Sequence, residues 1–123
     1  SKNNLIDVHQ DLVDVVHRAL QITKVDFMVI EGLRTTERQQ ELFDAGASKT
    51  MNSKHLDQGQ GVSWAVDLCA LIGGRASWSW PPYEEIASAM KQAAQELGVE
   101  IQWGGDWTSF KDGPHFELKN IRG

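Results

Sequence analysis

The stretch Trp64-Ala65-Val66-Asp67-Leu68-Cys69-Ala70-Leu71 combines aromatic, β-branched and aliphatic residues with a single carboxylate, that of Asp67. Such residues favour a pleated, buried strand, so the segment predicts the central strand of a sheet. A carboxylate in a buried strand is costly unless it is paired or binds a metal. Asp67 therefore predicts a charged or metal partner on another part of the chain.

The sequence before this strand predicts two helices and a further strand. Apolar residues at helical spacing predict a first helix with Val8, Leu12, Val15, Val16, Ala19 and Leu20 on its buried side. The short apolar run Phe27-Met28-Val29-Ile30 predicts a strand. Thr35 or Thr36 is a suitable cap for a second helix that ends at Ala45-Gly46. The polar residues from there to Ser63 predict a loop.

The sequence after the central strand predicts one more helix and two strands. A third helix begins near Pro81-Pro82 and ends at Gly98, because proline suits the first turn and glycine the C-terminal cap. Val99 to Trp103 and Pro114 to Leu118 predict short strands. Without regular strand–helix alternation, this order predicts an α+β fold with a small, mostly antiparallel sheet and about three flanking helices.

Size and charge exclude several classes of protein. The chain has 123 residues, which predicts one domain over positions 1–123, and 41% of them are hydrophobic. No apolar run approaches the length of a membrane span, and no secretory leader is visible. A formal net charge of −5 disfavours nucleic acid and anionic lipid as partners. The single cysteine, Cys69, cannot form an internal disulfide, and we interpret it as a buried thiol.

Four ionisable residues are placed around the predicted strands: His55, Asp67, Asp112 and His115. Two imidazoles and one carboxylate are a common ligand set for a catalytic zinc, whose bound water has a pKa of about 7. Asp112, three residues before His115, could then act as the general base. The spacing alone leaves structural roles open: an ion pair for Asp67, a core imidazole for His115, and a turn at Asp112.

A resemblance gives these residues a specific interpretation. Five blocks, in this order, resemble the zinc D-alanyl-D-alanine peptidase family, and more closely its phage endolysins that cut between L-alanine and D-glutamate in peptidoglycan. The blocks run from about residue 30 to residue 118 and are Gly32-Leu33-Arg34-Thr35-Thr36-Glu37-Arg38-Gln39, Ser53-Lys54-His55, Ala65-Val66-Asp67-Leu68, Trp103-Gly104-Gly105-Asp106-Trp107 and Asp112-Gly113-Pro114-His115-Phe116-Glu117-Leu118. The resemblance implies the D-alanyl-D-alanine peptidase, or hedgehog-like, fold.

The resemblance also implies a role for each matching residue. Zinc would be held by His55, Asp67 and His115, with Asp112 as general base and acid. Arg34 would face the scissile carbonyl or a substrate carboxylate and stabilise the developing oxyanion. Ser53 would line the same pocket.

Alternatives remain for the residues that surround this predicted centre. Arg34 could instead form a surface ion pair with Glu31 or Glu37. Trp103 and Trp107 suit the core and the wall of a substrate groove equally well. Of the two, we take Trp107 as the candidate for substrate binding.

One feature departs from the family pattern. In the family's usual motif, S-x-H-x-x-G-x-A-x-D, the histidine stands seven residues before the aspartate, whereas His55 stands twelve before Asp67. About five residues are therefore inserted around Gln58-Gly59-Gln60-Gly61. Because a metal requires only convergence in space, a looped-out insert is compatible with the site. It also makes Asp57 a less favoured, competing ligand.

The function implied by the resemblance is that of a zinc-dependent endolysin that hydrolyses the L-alanyl-D-glutamate bond of the peptidoglycan stem peptide. The alternatives are a carboxypeptidase or dipeptidase that releases D-alanine, and a zinc-stabilised module that binds wall peptides without cutting them. We expect a monomer without a separate wall-binding domain. We also expect it to accumulate in the host bacterial cytoplasm before lysis and then to act on the cell wall.

Overall fold

The computed structural model describes residues 3–47, 51, 53–108 and 111–122 of the chain. Positions 48–50 and 52 of the predicted polar loop lie outside these residues, as do positions 1 and 2. In chain order the α-helices and strands are α1 (Gln10–Ile22), β1 (Asp26–Glu31), α2 (Thr36–Asp44), β2 (Ala65–Ile72), β3 (Arg75–Ser77), α3 (Trp80–Leu97), β4 (Glu100–Trp103) and β5 (His115–Asn120). Short 3-10 turns cover Asn3–Leu5 and Gly104–Asp106.

The strands form one sheet in the order β1-β2-β5-β4, and β3 pairs with the far end of β2. All pairs of these strands are antiparallel. The stretch that predicted a central strand therefore forms β2, which pairs with three other strands. The predicted α+β fold with a mostly antiparallel sheet is confirmed.

The main hydrophobic core lies between one face of the sheet and the helices α1 and α3, which contact each other. Apolar side chains from all three elements fill it, because each presents one apolar face. The largest completely buried members are Tyr83, Phe116, Leu12, Leu68, Ile86, Met90 and Leu118. This packing leaves the opposite face of the sheet for polar side chains.

Strand register places three ionisable residues in a row on that opposite face. In the antiparallel pairing, Asp67 of β2 is directly opposite Glu31 of β1 and His115 of β5. Directly opposite residues point to the same side of a sheet. Asp67 therefore stands between Glu31 and His115, away from the face that carries Leu68 and Phe116.

The predicted helix ends are confirmed in detail. Thr35 caps α2, and its side-chain oxygen accepts a hydrogen bond from the backbone N–H of Arg38 at 3.1 Å. Pro81 and Pro82 lie in the first turn of α3, and Gly98 ends that helix in the left-handed conformation, with φ of 69°. No described helix is long and apolar enough to span a membrane.

Two local features differ from the predictions. No strand was predicted between the central strand and the third helix, but Gly73 and Gly74, with φ of 60° and 79°, form a turn from which β3 pairs back onto β2. Leu20, predicted to be buried on α1, is 38% exposed. Asp11 of α1 is instead buried, where it pairs with Arg122.

Candidate metal and catalytic site

Two members of the candidate site are fixed by the sheet itself. Asp67 and His115 are paired residues on β2 and β5, and Oδ1 of Asp67 lies 3.4 Å from Nδ1 of His115. The other ring nitrogen of His115, Nε2, lies 2.8 Å from Oε1 of Glu117. The ring therefore contacts a different carboxylate through each nitrogen.

The third member, His55, comes from the loop before β2. Its Nδ1 lies 2.9 Å from the carbonyl oxygen of Gly32, and its Nε2 lies 3.3 Å from Oδ1 of Asp67. The backbone N–H of His55 donates a hydrogen bond to Oγ of the buried Ser53 at 3.1 Å. Ser53 thus orients the backbone of this segment.

The insert between His55 and Asp67 forms a turn of its own. Oδ1 of Asp57 accepts hydrogen bonds from the backbone N–H groups of Gly59 and Gly61, at 2.8 and 3.0 Å. Glycine suits these positions because their φ values are 128° and 75°. The exposed Asp57 therefore stabilises its own turn, and the five extra residues do not separate His55 from Asp67.

His55, Asp67 and His115 form a group that could hold a metal ion. One candidate ligand atom from each lies within 4.8 Å of the others. Nε2 of His55 and Oδ1 of Asp67 are the buried side-chain polar atoms that lack a hydrogen-bond partner in the described part of the chain. Unpartnered buried polar atoms are costly and rare. A divalent cation would satisfy both, so these residues fit one.

The charges of this group shift its pKa values in opposite directions. Burial disfavours the charged form of Asp67, but contacts with His115 and His55 outweigh it and lower the pKa of the carboxyl. Burial also opposes the charge of His115, but Asp67 and Glu117 raise the pKa of the imidazole to about 9. The site therefore favours an ionised carboxylate, as a cation ligand must be.

Asp112 lies at the edge of this group, in the turn before β5. Its backbone carbonyl accepts a hydrogen bond from the backbone N–H of His115 at 3.3 Å, and its own N–H donates to the carbonyl of Gly104 at 3.1 Å. Burial and the negative charge of Asp67 raise the pKa of the Asp112 carboxyl. A raised pKa suits a carboxylate that both accepts and donates a proton.

The turn Gly104–Asp106 packs closely against this segment. A Cβ atom at Gly104 would clash with the backbone oxygen of Asp112 and lie 3.1 Å from the Cβ atoms of Asp112 and His115. Only glycine allows this close approach. Gly104 therefore helps to define the position of the proposed base.

Arg34 is placed beside the group by the segment after β1. Its side chain is only 9% exposed, and its guanidinium contacts Glu31, Oε1 of Gln39 at 2.6 Å, and Oδ2 of Asp67 at 3.6 Å. The ion pair with Glu31, one of the alternatives drawn from the sequence, is present. It is not a surface pair, however, because the Arg34 side chain is largely buried and its guanidinium lies next to Asp67.

Trp103 and Trp107, for which the sequence left both a core position and a groove position open, have different surroundings. Trp103 is buried, and its Nε1 donates a hydrogen bond to the carbonyl of Gly113 at 2.6 Å. Trp107 is partly exposed, with its ring centroid 5.1 Å from that of His115. Trp107 also lines a cleft of about 360 Å³ together with Gln102, Asp106 and Thr108. Trp103 thus belongs to the core, whereas Trp107 is partly exposed with its ring beside that of His115.

Three residues that contact the site had no role predicted from the sequence: Glu117, Lys54 and Gln39. Alternation along a strand could have identified Glu117, since residues two apart share a face. Lys54 and Gln39 could not be identified, because their contacts depend on the path of loops. Cys69, two residues after Asp67 on β2, is buried as predicted, but it is not part of the candidate metal group in the described residues.

Comparison with known proteins identifies the fold first. The fold matches that of the vancomycin-resistance D,D-dipeptidase VanXYg with a TM-score of 0.52 and 14% identity, over 90% of this chain and 50% of that one. The predicted D-alanyl-D-alanine peptidase fold is therefore confirmed.

Sequence comparison then shows the family. The model described as phage L-alanyl-D-glutamate peptidase matches residues 1–119, and the chain belongs to that family. The L-alanyl-D-glutamate peptidase of Escherichia phage T5 is 29% identical, over 97% of this chain and 85% of that protein. The crystal structure of the Serratia marcescens L-Ala D-Glu endopeptidase ChiX matches with a TM-score of 0.88 and 46% identity, over 96% of this chain and 85% of that one.

Proposed function

We propose that this chain is a zinc-dependent endopeptidase that hydrolyses the L-alanyl-D-glutamate bond of the peptidoglycan stem peptide. The observation that carries the proposal is the convergence of His55, Asp67 and His115 within 4.8 Å, with Asp112 at their edge. Family membership supports the peptidase activity, and the names of the T5 and Serratia relatives support the choice of bond.

The donor set supports zinc as the metal. Two imidazole nitrogens and one carboxylate oxygen are typical of catalytic zinc sites, which leave a position open for water or substrate. We assign the three positions to Nε2 of His55, a carboxylate oxygen of Asp67 and Nδ1 of His115, the atoms that face one another. When bound, zinc supplies a Lewis acid that polarises the scissile carbonyl and lowers the pKa of water.

Asp112 is assigned the proton transfers. It accepts the proton of the attacking water and delivers it to the leaving nitrogen of D-glutamate, so that the amide leaves as a neutral amine. The raised pKa of its carboxyl supports this role, because a very weak base could not hold the proton between the two steps.

Arg34 is assigned electrostatic stabilisation of the reacting carbonyl oxygen. Its guanidinium is held by Glu31 and Gln39, so its charge is oriented before substrate binds. Ser53 and Trp107 are assigned to the substrate pocket. Trp107 suits this role because its ring is partly exposed and its centroid lies 5.1 Å from that of the His115 ring.

The experiment that tests this function is mass analysis of fragments released from purified sacculi, with and without a chelator. The proposal predicts fragments with a new N-terminal D-glutamate, and their loss when the chelator is present. Release of free D-alanine would instead indicate the carboxypeptidase or dipeptidase alternative. Binding to sacculi without any released fragment would indicate the wall-binding module.

The setting of this activity is part of the proposal. We propose a monomeric enzyme that acts on the stem peptide in the cell wall after a period in the host bacterial cytoplasm. The net charge of −5 supports the absence of a nucleic-acid partner, because it would repel the phosphate backbone.

A further inference from the structure

We propose that Glu117 is a positioning residue for the metal site, held in turn by Lys54. It accepts the Nε2 proton of His115, so that Nδ1 of the same ring is left as the metal ligand. This inference rests on the proposed metal site and concerns residues to which the family resemblance gave no role.

The first step is the geometry of the His115 ring. Nε2 lies 2.8 Å from Oε1 of Glu117, whereas Nδ1 faces Oδ1 of Asp67 at 3.4 Å. In the metal-bound protein the imidazole is neutral and carries one proton, and a carboxylate acceptor at Nε2 holds that proton there. The nitrogen that faces Asp67 then has a free lone pair, as metal binding requires.

The second step is the way Glu117 is itself held. Nζ of Lys54 lies 3.4 Å from Oε2 of Glu117, the oxygen that does not face His115. The same Nζ donates a hydrogen bond to the carbonyl of Leu118 at 2.8 Å and lies 5.6 Å from the centre of the Trp64 ring. Lys54 is therefore fixed by three contacts and orients the carboxylate.

The third step is the connection that this ion pair makes. Lys54 directly precedes His55, and Glu117 lies two residues after His115 on the same strand. The pair therefore joins the loop that carries one proposed ligand to the strand that carries another. The pair holds this loop and this strand together on the side of the His115 ring that faces away from the proposed metal.

The two histidines also differ in the strength of their outer partners. Nδ1 of His55 faces a neutral carbonyl, that of Gly32, while His115 faces a carboxylate. A charged acceptor gives a stronger hydrogen bond and makes the ring a better donor to a metal. Loss of Glu117 should therefore weaken metal binding even though Glu117 acts on the metal only through His115.

The test compares zinc affinities, measured by chelator competition, for the full chain and its variants. Glu117→Ala is expected to weaken zinc binding by about 10–100-fold, the usual effect of removing a partner of a metal-bound histidine. Glu117→Gln keeps an acceptor of the same shape and should lose less zinc affinity than Glu117→Ala. Lys54→Met keeps the stem near Trp64 and should also lose less. Glu100→Gln removes an exposed carboxylate from β4 and should change nothing.

A second readout separates positioning from general stability. In the zinc-loaded protein, long-range ¹H–¹⁵N spectra should show His115 protonated at Nε2 and metal-bound at Nδ1, with the Nε2 proton protected from exchange. Glu117→Ala should lose that protection and Glu117→Gln should keep part of it, while circular dichroism shows the metal-free fold retained in both.

Two results would overturn the inference in distinguishable ways. If wild type binds zinc and Glu117→Ala binds it equally well with the same His115 spectrum, Glu117 has no positioning role and the proposed function stands. If wild type binds no zinc, the proposed metal site fails and this inference fails with it.

Discussion

Asp67 and His115 are directly opposite each other on β2 and β5, and Oδ1 of Asp67 lies 3.4 Å from Nδ1 of His115. Side chains alternate between the faces of a strand, so a slip of one residue in this pairing would place the two groups on opposite sides of the sheet. The hydrophobic packing of Leu68 and Phe116 on the other face prevents that slip. The register that builds the core thus also builds the candidate site.

Asp112→Asn should remove most of the activity without removing the metal. The variant keeps the size of the side chain but cannot act as a base, which typically costs a factor of about 100 to 10,000 in rate. Zinc content, measured by mass spectrometry of the purified protein, should stay at the wild-type level. His115→Ala should lose both zinc and activity.

The matched control for this prediction is Asp44→Asn. Asp44 is an exposed aspartate at the last position of α2, where it accepts a hydrogen bond from Nε2 of Gln40 at 2.8 Å. The variant should keep a near-normal rate, because surface substitutions away from the site usually have small effects. A near-normal rate for Asp112→Asn on purified cell walls would show that the proton-transfer role is misassigned.

Chelation should abolish activity while leaving the fold intact. The hydrophobic core lies between the helices and the face of the sheet opposite Asp67, so most of the folding free energy does not depend on the metal. The melting temperature should fall, because a ligand that binds only the folded state stabilises it. Circular dichroism before and after chelation measures this. Complete unfolding on chelation would instead support the zinc-stabilised binding module.

Gly104→Ala should reduce activity more than it reduces stability. A methyl group there clashes with the backbone oxygen of Asp112 and crowds His115, so the turn must shift. Overpacking of this kind costs about 1–3 kcal/mol, measured by urea unfolding. The rate should fall further, because the proposed base moves with the turn.

Gly113→Ala is the matched control in the same region. A Cβ atom there would meet Trp80 and Tyr83 at 3.4 Å, without a backbone clash. It should keep more activity than Gly104→Ala. Equal losses in the two variants would contradict the positioning role of Gly104.

The sequence was sufficient to predict most of the fold because its signals are local. Thr35 and Gly98 mark helix ends by their own side-chain or backbone chemistry. The apolar stripe of α1 follows helical spacing, and the stretch that became β2 is rich in strand-forming residues. The family motifs added the residues of the candidate metal group.

What could not be predicted depends on contacts between distant segments. The short strand β3 has only three residues, too few for a pattern, and exists because the turn at Gly73 and Gly74 folds it onto β2. The position of Glu31 opposite Asp67 depends on strand register, which the sequence does not specify. Asp11 is buried on α1 because Arg122 reaches it from 111 residues away.

The pairing of Asp11 with Arg122 should make stability depend on pH. Burial alone would raise the pKa of the Asp11 carboxyl, but hydrogen bonds from the backbone and guanidinium of Arg122 lower it below 3.8. Because the pKa is lower in the folded chain, the charge stabilises the fold above about pH 3.8 and this contribution is lost as the pH falls through the folded-state pKa. Asp11→Asn should therefore be less stable than wild type at pH 6.5, and the difference should shrink towards pH 3.

Urea unfolding at several pH values measures this difference, with Asp7→Asn as the control. Asp7 is exposed and has a positive φ of 63°, which asparagine also adopts, so that variant should match wild type throughout. A destabilisation by Asp11→Asn that stays constant down to pH 3 would show that the charge of Asp11 is not the cause.

The most direct test of the central claim is anomalous diffraction at the zinc edge from crystals of the zinc-loaded protein. The account predicts one strong peak within about 2.0–2.2 Å of Nε2 of His55, a carboxylate oxygen of Asp67 and Nδ1 of His115. A peak bound by other residues, or none at these three in a protein that cleaves cell walls, would contradict it.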